Sequence, residues 1–173
     1  MDRVVADLSA ESINWLKALP GTASCDDIFF ICHGTPVSDN DYLLEKVTPK
    51  GVFVHNDEDL IAKTEDIPQS VILCGHSHVN RVIRLSNGKL ILNPGSVGLP
   101  AYLGNGEYRF AMESMTPHAK YAIVTVDGDA INTEQVLCTY DWDAAAQAAR
   151  ANGNNDAARF LLYGRMPKDL RIE

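Results

Sequence analysis

Two short apolar runs in this 173-residue chain end in the same way, with a histidine beside a glycine. The first is "DIFFICHG" (27–34) and the second is "SVILCGHSH" (70–78). Each run is too short for a helix between such breakers, so both predict strands that are buried on both faces. If the two strands run parallel, their histidines meet at the edge of the sheet where α/β proteins hold their ligands. The two runs therefore predict a buried, partly parallel sheet.

Helices are predicted towards both ends of the chain. Ser9 can cap a helix that Pro20 closes, and Asp141 can cap an alanine-rich helix that ends at Gly153. A last short helix is predicted over 156–163, "DAARFLLY". With the strands, these helices predict an α/β or α+β sandwich formed by one domain over residues 1–173.

Two hairpins are predicted in the second half of the chain. An Asn-Gly pair interrupts alternating apolar segments within 81–93, and an Asp-Gly pair does the same within 120–140. A further short strand is predicted over 51–55. Segment 97–117 shows no clear periodicity and is interpreted as a long functional loop or as elements that the pattern does not reveal.

The charge and hydropathy of the chain exclude some classes of partner. The net charge is -8, and no cluster of Lys and Arg offsets it, which argues against a nucleic-acid-binding surface. No apolar run approaches the roughly 18–20 residues that a membrane span needs, so no membrane partner is predicted. The first residues lack the pattern of a signal peptide, and the four cysteines show no CxxC pairing, so we expect a cytoplasmic protein with reduced thiols.

The histidines at the two strand ends are candidate metal ligands. In an extended chain, His76 and His78 would face the same way, and such a pair can bind one ion or two neighbouring ions. His33 would join them from the parallel strand. Gly75 and Gly34 stand beside these histidines, and Gly75 is expected to leave room for a ligand or for a second backbone.

The stretch "LNPGSVG" (92–98) predicts a tight turn at the end of another strand. Asn93 and Ser96 in this turn could hydrogen-bond neighbouring ligands and support the site.

Three strings carry a resemblance to a known family: "HGTP" (33–36), "GHSH" (75–78) and "NPGSVG" (93–98). In this order and at this spacing, they resemble the calcineurin-like metallophosphoesterase superfamily, and most of all its small bacterial and archaeal phosphodiesterase branch. The resemblance implies a four-layer α/β/β/α sandwich with mixed sheets, and two divalent metals that activate a water for attack on a phosphomonoester or phosphodiester. It implies that His33 and His76 bind the second metal and that His78 binds the first.

The other three motifs of that family, DxH, GDxxD and GNH[DE], are absent from the sequence. The chain is therefore expected to correspond to the C-terminal part of a family member, truncated at its N-terminus. Without the bridging carboxylate, three imidazoles are expected to hold at most one divalent ion per chain (Mn, Ni, Zn or Fe). No catalytic residue is assigned.

Three interpretations of function follow from this partial resemblance. The first is a phosphoester hydrolase that acts weakly or not at all on small phosphate esters in this form. The second is a non-catalytic metal-binding or regulatory module, and the third is a fragment of a truncated reading frame. A sheet face left without its partner layer also predicts a homodimer.

Overall fold

The computed structural model describes residues 7–167, in which four helices and eleven strands are formed. The elements, in chain order, are α1 (Ala10–Ala18), β1 (Thr22–Cys25), β2 (Phe29–Cys32), β3 (Glu45–Thr48), β4 (Gly51–Val54), α2 (Asp57–Lys63), β5 (Val71–Leu73), β6 (Arg81–Arg84), β7 (Leu90–Asn93), β8 (Ala101–Asn105), β9 (Arg109–Glu113), β10 (Ala119–Asp127), β11 (Ala130–Cys138), α3 (Trp142–Ala151) and α4 (Asn155–Tyr163). The three predicted helices are confirmed as α1, α3 and α4. Their caps are Ser9, Asp141 and Asn154, whose side chains each accept a hydrogen bond from a backbone N–H of the first turn.

The main sheet has five strands in the order β1-β2-β5-β7-β6. Its three inner strands are parallel, with Phe29 opposite Val71 and Val71 opposite Leu90, while both edge strands run antiparallel to their neighbours. The predicted α+β class with a mixed sheet is confirmed. Because β2 and β5 are parallel neighbours, the histidines that follow them emerge at the same edge.

Three further pairs of strands lie outside this sheet: β3 with β4, β8 with β9, and β10 with β11. The two predicted hairpins are confirmed as β6/β7 and β10/β11, with Gly88 and Gly128 at positive φ in their turns. The four-layer arrangement stays a prediction.

Segment 97–117, for which no element was predicted, contains the β8/β9 hairpin. Its pattern is obscured because Gly104 interrupts β8. The ring of Phe110 lies directly over this glycine, so that a Cβ there would stand 2.0 Å from a ring carbon. The glycine, which weakens the strand signal, makes room for the cross-strand aromatic. The edge strand β1 and the strand β3 were not predicted either.

The main core lies between one face of the five-stranded sheet and α2. Its buried members are Cys32, Leu43, Leu44, Leu60, Ile67, Ile72, Cys74, Leu85 and Ile91. The opposite sheet face is less well covered, since Ile31 keeps 40% of its surface exposed and an apolar groove of about 280 Å³ separates the sheet from β10. Helix α1 buries none of its residues, and its predicted apolar face leaves Trp15 and Leu16 exposed. Among residues 7–167, no helix has the length and hydropathy needed to span a membrane.

Candidate functional site

The candidate site lies where β2 and β5 end at the same edge of the main sheet. His33 follows β2 directly, and His76 and His78 come a few residues after β5. The backbone joins the two ends, because Gly75 N–H donates to the His33 carbonyl at 2.8 Å. The structure therefore places the predicted histidines at neighbouring strand ends.

The backbone of the GHSH turn differs from the extended chain that was predicted. Both His76 and His78 have φ near +60°, in the left-handed region, and Ser77 N–H donates to the Gly75 carbonyl at 2.7 Å within a tight turn. A non-glycine residue in this region costs of the order of 1 kcal/mol or more and persists where the surroundings enforce it. Such strain is concentrated at functional sites, and this turn carries two examples, one on each side of Ser77.

His33 and His76 are brought into direct contact. His33 Nε2 and His76 Nδ1 are 3.2 Å apart, and the two rings meet at an interplanar angle of 63°. Two nitrogen ligands of a tetrahedral ion, each about 2.0–2.1 Å from the metal, stand roughly 3.3 Å from each other. The observed separation is close to that spacing.

Backbone carbonyls set the tautomers of His76 and His78. His76 Nε2 is 3.2 Å from the Asn40 carbonyl, and His78 Nδ1 is 2.8 Å from the Leu99 carbonyl. A neutral imidazole has one N–H, and only an N–H can bond to a carbonyl. The lone pair is therefore on Nδ1 of His76, facing His33, and on Nε2 of His78. Orientation by a backbone carbonyl is the usual arrangement of metal-binding histidines.

The electrostatics keep these imidazoles neutral. Burial lowers the pKa of His76, and the neighbouring His33 lowers it further. Burial also lowers the pKa of His78, against the opposing effect of its bond to the Leu99 carbonyl. Neutral imidazoles are the form that binds a metal.

Two tyrosines surround the histidines, and sequence reasoning missed both. The ring of Tyr42 stacks on His76 with centroids 4.6 Å apart, and the ring of Tyr102 meets His78 edge-on at 5.0 Å. Their hydroxyls are 2.8 Å apart, and Tyr102 donates to the His76 carbonyl at 3.2 Å, so Tyr42 is the donor of the pair. Tyr102 lies in segment 97–117. The lack of a clear periodicity in that segment was the one sequence signal that could have drawn attention to this residue.

The Asn93 side chain fixes the GHSH turn through hydrogen bonds. This side chain has no exposed surface and donates to the Gly75 carbonyl at 2.7 Å and to Ser77 Oγ at 3.1 Å. Its own Oδ1 accepts from Gly95 N–H at 2.9 Å. Ser96 supports the site indirectly, since its hydroxyl accepts from the N–H of Leu99, whose carbonyl orients His78.

Asn93→Ala is expected to lower the free energy of unfolding by about 2–3 kcal/mol, because three buried hydrogen bonds lose their partner at once. Urea denaturation would measure the change. Asn87→Ala is the matched control, because the exposed Asn87 accepts one bond from Lys89 N–H and its loss should cost less than about 1 kcal/mol. Equal losses for the two variants would contradict the clamping role of Asn93.

The two glycines beside the histidines differ in the space that the surrounding atoms leave for a side chain. A Cβ at Gly34 would lie 2.4 Å from the Asp41 carbonyl oxygen and 2.7 Å from that of Ser38, so the following loop needs this glycine. A Cβ at Gly75 would meet nothing closer than the His33 carbonyl oxygen at 3.5 Å. The neighbouring backbone therefore requires a glycine at position 34 and not at position 75, and room for a ligand at Gly75 stays a prediction.

A buried carboxylate also lies near the turn. Glu45 keeps only 4% of its surface exposed, and its Oε1 is 3.3 Å from Arg81 Nε. Burial raises the pKa of Glu45, against the lowering effects of a hydrogen bond from Ser77 and of the Arg81 charge. Because β3 was not predicted, sequence reasoning gave no reason to place this residue near the histidines.

Comparison with known proteins relates the fold to solved structures. No family model and no curated protein matches the chain. A metallophosphoesterase from Sphaerobacter thermophilus superposes with a TM-score of 0.65 at 21% identity, covering 92% of this chain and 64% of its own. A hypothetical protein from Pyrococcus horikoshii superposes with a TM-score of 0.65 at 15% identity, covering 94% of this chain and 57% of its own.

The chain shares its fold with the matched part of the Sphaerobacter thermophilus metallophosphoesterase. This likeness shows the architecture, and the chain spans less than two thirds of the length of either solved structure. The mixed α+β fold that the resemblance implied is confirmed, whereas the roles it implied for the HGTP, GHSH and NPGSVG strings stay predictions.

The donor set does not fit the pair of metals that the metallophosphoesterase resemblance implied. Over residues 7–167 no three His, Cys, Asp or Glu side chains are arranged so that they could hold an ion. His33 and His76 are in contact, whereas the ring of His78 packs on Tyr102. Two dications close together need carboxylates between them, and imidazoles alone cannot neutralise their charge. The residues present suit at most a single ion.

The remaining histidines make other contacts. His55 Nδ1 is 3.3 Å from the Asp59 carboxylate on α2, and the ring of His118 packs against Trp142 with centroids 5.3 Å apart. Neither residue was predicted to be a ligand.

Proposed function

We propose that this chain is a protein of the metallophosphoesterase superfamily whose histidine site binds one divalent ion and hydrolyses small phosphomonoesters or phosphodiesters weakly or not at all. The observation that carries the proposal is the contact between His33 Nε2 and His76 Nδ1 at the shared strand edge, with His76 oriented by a backbone carbonyl. His33, His76 and His78 are the proposed ligands, and the ion is Mn²⁺, Ni²⁺, Zn²⁺ or Fe²⁺.

In this proposal, the residues around the site orient the histidines or restrict their rotation. The Asn40 carbonyl fixes the proton of His76 on Nε2 and so leaves Nδ1 available as a ligand. His33 donates its Nε2 proton to that same atom, and a ligand role would require its proton to lie on Nδ1 instead. Tyr42 and Tyr102 pack against His76 and His78 and limit their rotation. When bound, an ion at this site would polarise a phosphoryl oxygen or an adjacent water.

Weak activity follows from what these residues can supply. In-line phosphoester hydrolysis at a two-metal site depends on two close positive charges that stabilise the attacking and leaving oxygens. The carboxylates of Asp39 and Asp41 lie nearby in sequence, and both residues are exposed. The charge of Asp41 opposes the lowering of the His76 pKa, but the hydrogen bonds described for His33 and His76 go to each other and to the Asn40 carbonyl. The three histidines are the proposed ligands of one ion, although their side chains are not arranged as a ligand group among residues 7–167, and they offer no second cation.

The purified chain, loaded with Mn²⁺, Ni²⁺ or Zn²⁺, is expected to hydrolyse bis(p-nitrophenyl) phosphate feebly or not at all. Release of p-nitrophenolate would be compared among the wild type, His78→Ala and His55→Ala. Residual turnover that belongs to the site should fall in His78→Ala and persist in His55→Ala. Robust turnover that depends on His78 would show that acidic ligands reach the site, from this chain or from a second copy, and would overturn the expectation of weak activity.

A homodimer is proposed on the less covered face of the main sheet. Ile31 and the groove beside β10 leave apolar surface exposed, and two copies could cover it symmetrically. Light scattering is expected to give twice the chain mass, and Ile31→Glu should shift the particle to monomer while the exposed Val37→Glu should not. A monomeric wild type at micromolar concentration would contradict this assembly.

A non-catalytic metal-binding or regulatory role is the second candidate. The observation that favours it is the contact between His33 Nε2 and His76 Nδ1, a nitrogen pair with no carboxylate among its hydrogen-bond partners. This role predicts that the chain binds a divalent ion and releases no p-nitrophenolate in the assay described above.

A further inference from the structure

A pocket of about 390 Å³ is lined in part by two residues that contact His76, Asn40 and Tyr42. Its lining also includes Tyr108, Phe110 and two acidic residues, Asp41 and Glu107. Tyr42 connects the pocket to the candidate site, since the same ring that lines the pocket stacks on His76. A molecule in this pocket would therefore be one side chain away from His76.

The aromatic wall of the pocket is fixed by its packing. The rings of Tyr42 and Phe110 meet edge to face at 5.8 Å, with an interplanar angle of 89°. Phe110 is buried against Gly104 on the facing strand, and the Tyr42 hydroxyl is held by Tyr102. Because the rings of Tyr42 and Phe110 are already ordered, ligand binding would not require the loss of their conformational entropy.

The charge of the pocket selects the kind of ligand. Among the described residues that line it, Asp41 and Glu107 bring two carboxylates, and there is no lysine or arginine. Aromatic faces combined with carboxylates attract organic cations, and above all quaternary ammonium groups, which bind within about 6 Å of ring centroids. An anionic phosphate would be repelled from the pocket.

We propose that this pocket binds an organic cation of the alkylammonium type. That the cation is the alcohol part of a phosphate ester rests on the proposed function. Binding of the cation itself does not. In the ester, the ammonium group would occupy the pocket beside Tyr42 and the phosphate would lie at His33 and His76. The preferred substrate class would then be zwitterionic phosphoesters.

Binding to the metal-free chain tests the pocket apart from any hydrolysis. Choline would be titrated into the ¹⁵N-labelled protein, with 3,3-dimethyl-1-butanol as its uncharged isostere. Choline is expected to shift the signals of Tyr42 and Tyr108 and to bind at least about tenfold more tightly than the isostere. Glu107→Gln and Asp41→Asn should each weaken choline binding about fivefold or more, while Glu65→Gln, on the surface outside this lining, should not change it.

Two results would overturn the cation site. One is equal affinity for choline and for the uncharged isostere, which would make the pocket merely apolar. The other is choline binding that is the same in Glu107→Gln, Asp41→Asn and the wild type. Phosphocholine tests the ester separately: tighter binding than choline supports an ester spanning the pocket and the histidines, and equal or weaker binding refutes that part alone.

Discussion

Gly34→Ala is expected to lower the free energy of unfolding by about 2–3 kcal/mol. The new Cβ would stand 2.4 Å from the Asp41 carbonyl oxygen and 2.7 Å from the Ser38 carbonyl oxygen, and backbone atoms cannot rotate away. The loop from Ser38 to Tyr42 must therefore move. Since this loop carries the Asn40 carbonyl and the Tyr42 ring that hold His76, the histidine should lose its fixed tautomer as well.

Gly75→Ala is the matched control for that variant. It stands beside a histidine of the same site, but its Cβ would find only ordinary contacts, the nearest at 3.5 Å. We expect a loss of less than about 1 kcal/mol. Urea denaturation would measure both variants, and the ¹⁵N signals of the imidazoles would report the tautomer of His76. A Gly34→Ala variant as stable as Gly75→Ala would show that the loop does not lie against Gly34 as described.

His76→Ala is expected to reduce the affinity for Zn²⁺ or Ni²⁺ by at least about 100-fold. Loss of a residue that only orients a ligand typically costs 10–100-fold in metal affinity, and His76 would be a ligand itself. It also contributes the Nδ1 atom that faces His33, so its removal breaks up the nitrogen pair. Isothermal titration calorimetry with a competing chelator would measure the affinity.

His55→Ala and His118→Ala control for the loss of any imidazole. Their rings contact Asp59 and Trp142, respectively, and the structure describes neither beside His33. Both variants should keep the wild-type metal affinity. A loss of metal affinity in His55→Ala as large as that in His76→Ala would show that the metal does not bind at the strand edge.

Local patterns were enough to predict the strand-terminal histidines. Each strand is an uninterrupted apolar run that a glycine follows closely, so "FFIC" and "VIL" could be identified without tertiary information. The predicted burial on both faces is wrong for β2, where Ile31 keeps 40% of its surface exposed. Their parallel pairing then put His33 and His76 at one edge. The hairpins were equally local, because Asn-Gly and Asp-Gly pairs determine the turn by themselves.

The surroundings of the histidines depend on long-range packing and could not be predicted in this way. Tyr102 and Glu45 are distant in sequence from the GHSH turn and reach it only through the fold. The positive φ of His76 and His78 likewise has no signal in the sequence, since glycine is the residue that normally occupies that region. Asn93 was noted for its turn, yet its hydrogen bonds to the turn required the third parallel strand.

We propose that this chain binds a single divalent ion through its strand-edge histidines. Metal analysis of the chain after saturation with Mn²⁺, Ni²⁺ or Zn²⁺ and removal of excess ion measures the stoichiometry. One ion per chain is expected in the wild type and in His55→Ala, and none in His76→Ala. No ion in the wild type, two tightly bound ions per chain, or one ion that His76→Ala retains would refute single-ion binding at these histidines.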